Sequence, residues 1–286
     1  MKPAPFVYHE PRTVHEAVSL LAEVAPEDGR ILAGGQSLVP AMALRLARPS
    51  HLVDINRISE LGALTLGDQV LSIGACVRHA AFHRPVGDGP LGRLLSCVVR
   101  HIAHYPIRTR GTFCGSLANA DPASEWCLVA VTLEAMVIAD STRGRRTLQA
   151  AEFFQGFLTT ALQPDEFLVE ARLPALAPGT RFGFNEFSRR AGDFAQAMTL
   201  ATFEVSAGVI ANPRIGIGSV EIVPRRVTVA EDYLAGREPS RETFMTAAEL
   251  AAREVSPIED SPETMSYKRD LVRATTVRAL EQAGSS

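Results

Sequence analysis

Two glycine-bearing segments constrain this chain more than anything else in it. They are Ala33-Gly34-Gly35-Gln36-Ser37-Leu38 and Arg110-Gly111-Thr112-Phe113-Cys114-Gly115-Ser116-Leu117-Ala118-Asn119-Ala120-Asp121-Pro122. Each sets glycines, small residues and hydroxyls after an apolar stretch. Backbone without Cβ atoms can approach a diphosphate closely and donate charge-assisted N–H hydrogen bonds to it. Taken singly, either segment is a turn with a residue at positive φ. Taken together, with Asp121-Pro122 closing the second, they read as two halves of one phosphate cradle, so the fold has to bring them together.

The elements around the first segment fit that demand. Thr13-Val14-His15-Glu16 has the form of a capping box, and Val14, Ala17, Val18, Leu21 and Ala25 recur at helical spacing up to Pro26. Residues 30–33 read as a short strand, Ser37 as the cap of a helix ending before Pro49, and residues 51–55 as a second strand. That is a small βαβ unit with the Gly-Gly loop at its strand-to-helix turn. Further on, residues 70–75 are strand-like and residues 93–104 helical. Asp121-Pro122 reads as the cap of another helix with proline at its first position, which puts Glu125 in its first turns. Composition shifts to Pro, Ala and Gly over residues 174–183, the expected domain boundary. Beyond it residues 181–187, 194–205 and 214–223 read as strands, the last two joined across Asn212-Pro213, and residues 241–255 and 262–283 as helices.

The paired loops, together with Arg189-Arg190-Ala191-Gly192-Asp193-Phe194-Ala195 further along, resemble the flavoprotein, or medium, subunit of molybdenum hydroxylases of the carbon monoxide dehydrogenase and xanthine dehydrogenase type. The resemblance covers essentially the whole chain. It implies an α+β protein: a two-part α/β FAD-binding domain of the PCMH type over residues 1–175, divided at 56/57, then a C-terminal domain of antiparallel sheet and helices over residues 176–286. It implies FAD with its diphosphate on Ala33 to Leu38 and on Thr112, Phe113, Cys114, Gly115, Ser116, Ala118 and Asn119, and with Asp121 or Glu125 accepting from sugar or ribityl hydroxyls. Ile102 and Ala118 match positions near the isoalloxazine ring, Leu168 a backbone contact near the adenine end, and Phe194 the aromatic beside the ring. Gln196 stands where some relatives place a lysine directed at the flavin O4. Cys114 stands where many relatives have the first glycine of a pair. If that position needs positive φ, cysteine is strained there, so either the loop bends at Gly115 alone or the second half of the cradle is looser. The resemblance also implies a large molybdopterin subunit and a small subunit with two [2Fe-2S] clusters as partners, in a dimer of heterotrimers passing electrons through the flavin to an external acceptor.

The rest of the sequence narrows the alternatives. With 286 residues, 46% of them hydrophobic, the chain can bury a large core, and a net charge of −3 leaves no electrostatic footprint for nucleic acid or anionic lipid. Its first residues form no signal peptide, and the longest apolar run, residues 127–139, is interrupted by Glu134 and too short to span a bilayer, so a cytoplasmic location is expected. Cys76, Cys97, Cys114 and Cys127 have no cluster-binding spacing, so any iron–sulfur cluster belongs to another chain. His79 with His83, and His101 with His104, share helical spacing but find no third ligand, and no metal is expected. Neither a GxSxG elbow nor a P-loop lysine occurs, and no catalytic acid/base pair stands out. Two other readings stay open at this point: a stand-alone FAD-dependent reductase or oxidase of the same fold, and a non-catalytic nucleotide-binding scaffold.

Overall fold

A computed structural model describes residues 2–258 and 262–285. The first unit runs β1 (Val7–His9), α1 (Val14–Val24), β2 (Gly29–Leu32), α2 (Leu38–Ala43) and β3 (His51–Asp54). Its strands are parallel in the order β1-β3-β2, with the Gly34-Gly35 turn leaving the β2 edge. Helix α1 begins at its cap, where the Thr13 hydroxyl accepts from Glu16 N at 3.1 Å, and it buries Val14, Ala17, Val18, Leu21 and Val24. The other half of the box slips by one residue, since the Glu16 carboxylate accepts from Arg12 N at 2.7 Å. Helix α2 is shorter than the sequence suggests: it stops at Ala43, Arg45 turns left-handed at φ 59°, and the Ser37 side chain makes no cap bond.

The second unit is built on an antiparallel sheet of β4 (Leu64–Leu66), β5 (Val70–Gly74), β6 (Met136–Asp140), β7 (Arg146–Gln149) and β10 (Phe167–Pro174), with a small hairpin of β8 (Phe154–Gly156) and β9 (Thr159–Thr160) beside it. Strand β10 lies at the centre of the order β4-β5-β10-β6-β7. The helices are α3 (Pro90–Val98), α4 (Tyr105–Arg108), α5 (Phe113–Asn119), α6 (Glu125–Thr132) and α7 (Ala150–Phe153). The helix expected over residues 93–104 starts earlier, with Pro90 in its first turn, and ends at Val98; Arg100, His101 and Ile102 then bond only three residues back, Ala103 turns left-handed at φ 40°, and Pro106 sits in the first turn of α4. Helix α6 starts later than expected. Its cap is Ser124, which accepts from Cys127 N at 3.4 Å, because the Asp121 carboxylate is folded locally onto Ala123 N at 2.9 Å.

The C-terminal sheet follows in the order β11 (Arg181–Phe187), β12 (Ala197–Ser206), β13 (Val209–Gly218), β14 (Arg225–Arg226), antiparallel throughout, with α8 (Thr228–Leu234), α9 (Arg241–Glu254) and α10 (Pro262–Gly284). Asn212-Pro213 does not join the strands. The hairpin turns at Ala207-Gly208, at φ 52° and 81°, whose two positive angles match the right-handed twist of the strands. Asn212, at φ 49°, lies inside β13 near a register shift opposite Thr202 and Glu204. Residues 194–196 stand before β12 rather than in it, and β13 stops at Gly218.

Helix α6 joins the parts. It is apolar all round, Trp126 to Val131 being buried. Trp126 packs on Phe113 at 4.9 Å and Phe82 at 5.3 Å between ring centroids. At the turn after α6, Glu134 bridges Arg214 at 2.8 Å and Arg226 at 2.5 Å, tying the second unit to the C-terminal sheet. The chain is thus α+β, with helix α10 lying on β11 so closely that a Cβ on Gly183 would stand 1.9 Å from the Ala279 carbonyl oxygen. Gly183→Ala therefore forces α10 off the sheet and is expected to cost about 1–3 kcal/mol, read as a lowered melting temperature. An unchanged midpoint contradicts that packing.

Candidate functional site

The two glycine segments meet. A Cβ on Gly34 would lie 2.5 Å from the Arg110 carbonyl oxygen and 2.6 Å from Gly111 Cα, so the two loops touch backbone to backbone. Gly35 follows at φ 71°, a conformation L side chains rarely adopt, and turns the chain into α2. Among the described residues the N–H groups of Gly35, Gln36 and Ser37 donate to no protein acceptor, while the Gln36 amide folds back onto Gly34 O at 3.0 Å. Ser37 is exposed; Ala33 and Leu38 are half-buried.

On the second loop, Thr112 accepts from Gly115 N at 3.0 Å and starts α5, which divides the expected residues by face. Phe113 and Cys114 are core, with Cys114 Sγ donating to Ile73 O at 3.6 Å, so their side chains are turned away from the loop surface. Cys114 is helical and unstrained, which removes the need for glycine there; the left-handed residue of this segment is Ala120 at φ 50°. Gly115, Ser116 and Asn119 are half-buried and Ala118 is exposed, forming the accessible face. Beneath the loop lies His79. Its backbone N–H donates to Gly111 O at 3.0 Å, and its Nδ1 accepts from Trp126 Nε1 at 2.9 Å. Burial, helped by Arg108 and Arg78, pushes the imidazole down to about 3, so His79 is neutral and carries its proton on Nε2.

At the other end, the loop before β12 folds over residues 101–104. Gly192 rests on the His104 ring, His101 Nδ1 lies 3.2 Å from Glu186 Oε1, and Phe194 stands 73% exposed beside a shallow cleft shared with Arg189, Asp193 and Gln196. The Gln196 backbone is held on both sides, by Phe187 O at 2.7 Å and Lys268 Nζ at 3.0 Å. The side chains of Ile102 and Leu168 are buried in the core. Asp121 is half-buried at the end of the second loop. The Glu125 carboxyl is enclosed by protein, and that burial, then the facing Glu186 carboxylate, raises it to about 8, against a smaller opposing pull from Arg108. With its proton retained near neutral pH, the group can donate a hydrogen bond as well as accept one.

Within the first histidine pair the side chains face different partners, His83 accepting from Arg108 Nε at 3.1 Å and His79 from Trp126, and no cluster of three metal-ligating side chains occurs among the described residues. No helix among these residues is long and apolar enough to cross a membrane. Sequence reasoning missed Asn56, Arg78, His79 and Glu186 as parts of this region. The one signal for Asn56 was local, an Asp-x-Asn step directly after a strand.

Because Glu125 holds its proton when folded and releases it at an ordinary carboxylate value when unfolded, its contribution is full below about 4.5 and is lost as pH rises toward about 8. Glu125→Gln should therefore gain melting temperature over the wild type progressively from about pH 5 to about pH 8.5. A difference that stays flat with pH refutes the protonated carboxyl.

Residues 4–176 match the FAD binding domain in molybdopterin dehydrogenase, and residues 182–283 match the CO dehydrogenase flavoprotein C-terminal domain. The chain is 36% identical to the nicotine 6-hydroxylase medium subunit of Paenarthrobacter nicotinovorans, over 97% of both proteins. To the carbon monoxide dehydrogenase medium chain of Hydrogenophaga pseudoflava it is 34% identical over 99% of this chain and 98% of that one. A solved carbon monoxide dehydrogenase structure from the same organism superimposes with a TM-score of 0.94 at 35% identity, covering 100% of this chain and 99% of the other. The quinoline 2-oxidoreductase of Pseudomonas putida 86 gives 0.92 at 35% identity, covering 100% and 99%. With both halves matched and relatives aligned end to end, the chain belongs to the FAD-binding medium subunits of the molybdopterin dehydrogenases, oxidoreductases of the carbon monoxide dehydrogenase and xanthine dehydrogenase family.

Proposed function

We propose that this chain seats FAD across the seam of the two loops and serves as the electron outlet of a molybdenum hydroxylase in the cytoplasm. The observation that carries the reading is the bare approach of Gly34 to Arg110 and Gly111, which sets a row of undonated N–H groups beside the second loop. A diphosphate suits that row: it brings acceptors and charge but needs space that side chains would fill. Ala33 to Leu38 form one wall, and Thr112, Gly115, Ser116, Ala118 and Asn119 the other, with Phe113 and Cys114 contributing backbone only. Asp121 accepts from a sugar or ribityl hydroxyl, and Glu125, as an acid, donates to one. Phe194 covers the ring, with Ile102 supporting its far side from the core, Gln196 at the ring edge and Leu168 near the adenine end. We divide the chain at residues 175/176, the first part binding the nucleotide and the second covering the ring.

When bound, FAD would supply the electron-carrying chemistry between a one-electron donor and an external acceptor. The partners that fit this role are a small subunit with two [2Fe-2S] clusters and a large molybdopterin subunit that holds the reducing substrate, in a dimer of heterotrimers. The chain's own contributions are to bind, to orient and to exclude water. Burial holds the Cys76, Cys114 and Cys127 thiols well above their ordinary range, so none of the three is a ready thiolate nucleophile.

Full-length protein should release FAD when denatured and regain it on refolding. Gly34→Ala drives a methyl into the Arg110 carbonyl and should weaken FAD binding tenfold or more, while Gly62→Ala, whose Cβ meets nothing within 4 Å, should bind like wild type. Equal retention in both variants, or a folded chain that binds no FAD, overturns the assignment. A second test addresses the ring edge. Gln196→Lys should raise the midpoint potential of the bound flavin, since a cation favours the reduced, more negative form, and about 30 mV corresponds to about 1.4 kcal/mol in a two-electron couple. An unchanged or lowered midpoint in fully flavinylated protein removes Gln196 from the site.

A further inference from the structure

We propose that Asn56 and Arg78 form a clamp that holds the two glycine loops at the separation the FAD diphosphate needs, and that the Arg78 charge serves that diphosphate. The inference rests on the FAD reading above and names positioning residues that it does not include. A continuous polar chain runs between the loops. The Tyr8 hydroxyl donates to Asp54 Oδ2 at 2.5 Å, and Asp54 Oδ1 accepts from Asn56 N at 2.8 Å and from Asn56 Nδ2. Asn56 Nδ2 also donates to the Ala33 carbonyl at 2.8 Å, and Asn56 Oδ1 accepts from Arg78 Nη2 at 2.5 Å. The other arm of the guanidinium, Nη1, donates to the Arg110 carbonyl. The ends of the chain are therefore two peptide carbonyls, one immediately before Gly34 and the other the oxygen that a Gly34 side chain would strike.

Two consequences follow from this arrangement. In a trans peptide the N–H points away from the C=O, so fixing the Ala33 carbonyl toward Asn56 aims the Gly34 N–H to the opposite side. Engaging both carbonyls with donors also keeps their lone pairs from facing a bound anion. The charge adds to this. Arg78 bonds a neutral amide and a carbonyl, and among the described residues it has no carboxylate in ion-pair range, so its positive charge beside the loops is not neutralised by the protein. Arg78 is also fixed at its own backbone by the antiparallel bridge to Thr112, which makes it rigid with the second loop, while Asn56 is rigid with the first through Asp54. The fork geometry of arginine suits this double donation, and a lysine point charge does not reproduce it.

The test uses the full-length chain stripped of flavin and titrated with FAD, with the melting temperature of each flavin-free variant measured in parallel. Arg78→Ala and Asn56→Ala should each lower FAD affinity about tenfold or more, as expected for losing a charge-assisted contact. The double variant should bind no more weakly than the weaker single one, because either change breaks the same chain. Arg78→Lys should recover only part of the loss. Asn56→Asp keeps the acceptor for Arg78 but has no N–H for the Ala33 carbonyl, so it should bind as poorly as Asn56→Ala while remaining folded. Wild-type affinity in Asn56→Asp, or losses that multiply in the double variant, overturn the clamp. Wild-type protein that binds no FAD overturns the underlying reading instead, so the two failures are separable.

Discussion

Everything in this molecule is arranged around one contact without side chains, the approach of Gly34 to the backbone of Arg110 and Gly111. A methyl group there would have to displace a peptide carbonyl, and main-chain atoms in a paired segment have nowhere to go. The contact joins a parallel three-stranded unit to a larger antiparallel one, two structures with separate sheets. What supports it from below is stiff: a neutral imidazole hydrogen-bonded to an indole that is itself packed on Phe82 and Phe113. Such a buried polar pair costs little because of the bond between the indole N–H and the imidazole Nδ1, and it ranks among the features least tolerant of substitution.

The parts of the fold written in local chemistry were legible in the sequence. Thr13 capped its helix, residues 241–254 formed theirs, and the Gly-Gly turn lay between strand and helix. The misreadings share a cause. Asp121-Pro122 and Asn212-Pro213 both look like punctuation, yet Asp121 spends its carboxylate on Ala123 N and leaves the cap to Ser124, while Asn212 absorbs a bulge within a strand. Local turn signals specify a backbone conformation and do not specify whether an element ends there. For the site, the loops could be named because glycine is conspicuous. Asn56 and Arg78 could not, since their importance lies in partners 23 and 32 residues away. Phe113 and Cys114 illustrate the converse: they sit inside the motif in sequence, yet their side chains belong to the core.

Helix α6 is the element through which the second unit is coupled to the C-terminal sheet. Its first residue is an enclosed acid facing Glu186 of the C-terminal sheet, its second is the indole under the loop, and the turn beyond it carries Glu134 to two arginines of that same sheet. Ion pairs of this partly exposed kind contribute modestly, so the apolar burial along α6 carries most of the attachment. The carboxyl at its start works against the attachment once ionised, which makes the junction sensitive to pH from within.

Trp126 is the only tryptophan in the chain and is fully buried. Any ultraviolet emission of the isolated subunit attributable to indole thus originates from one point directly beneath the second glycine loop. Its hydrogen-bond partner stays uncharged until about pH 3, so protonation of that imidazole does not modulate the signal across the neutral range. The protein therefore carries its own optical gauge, a single buried indole whose emission would report a flavin seated at the proposed site and distinguish, without any label, a filled molecule from an empty one.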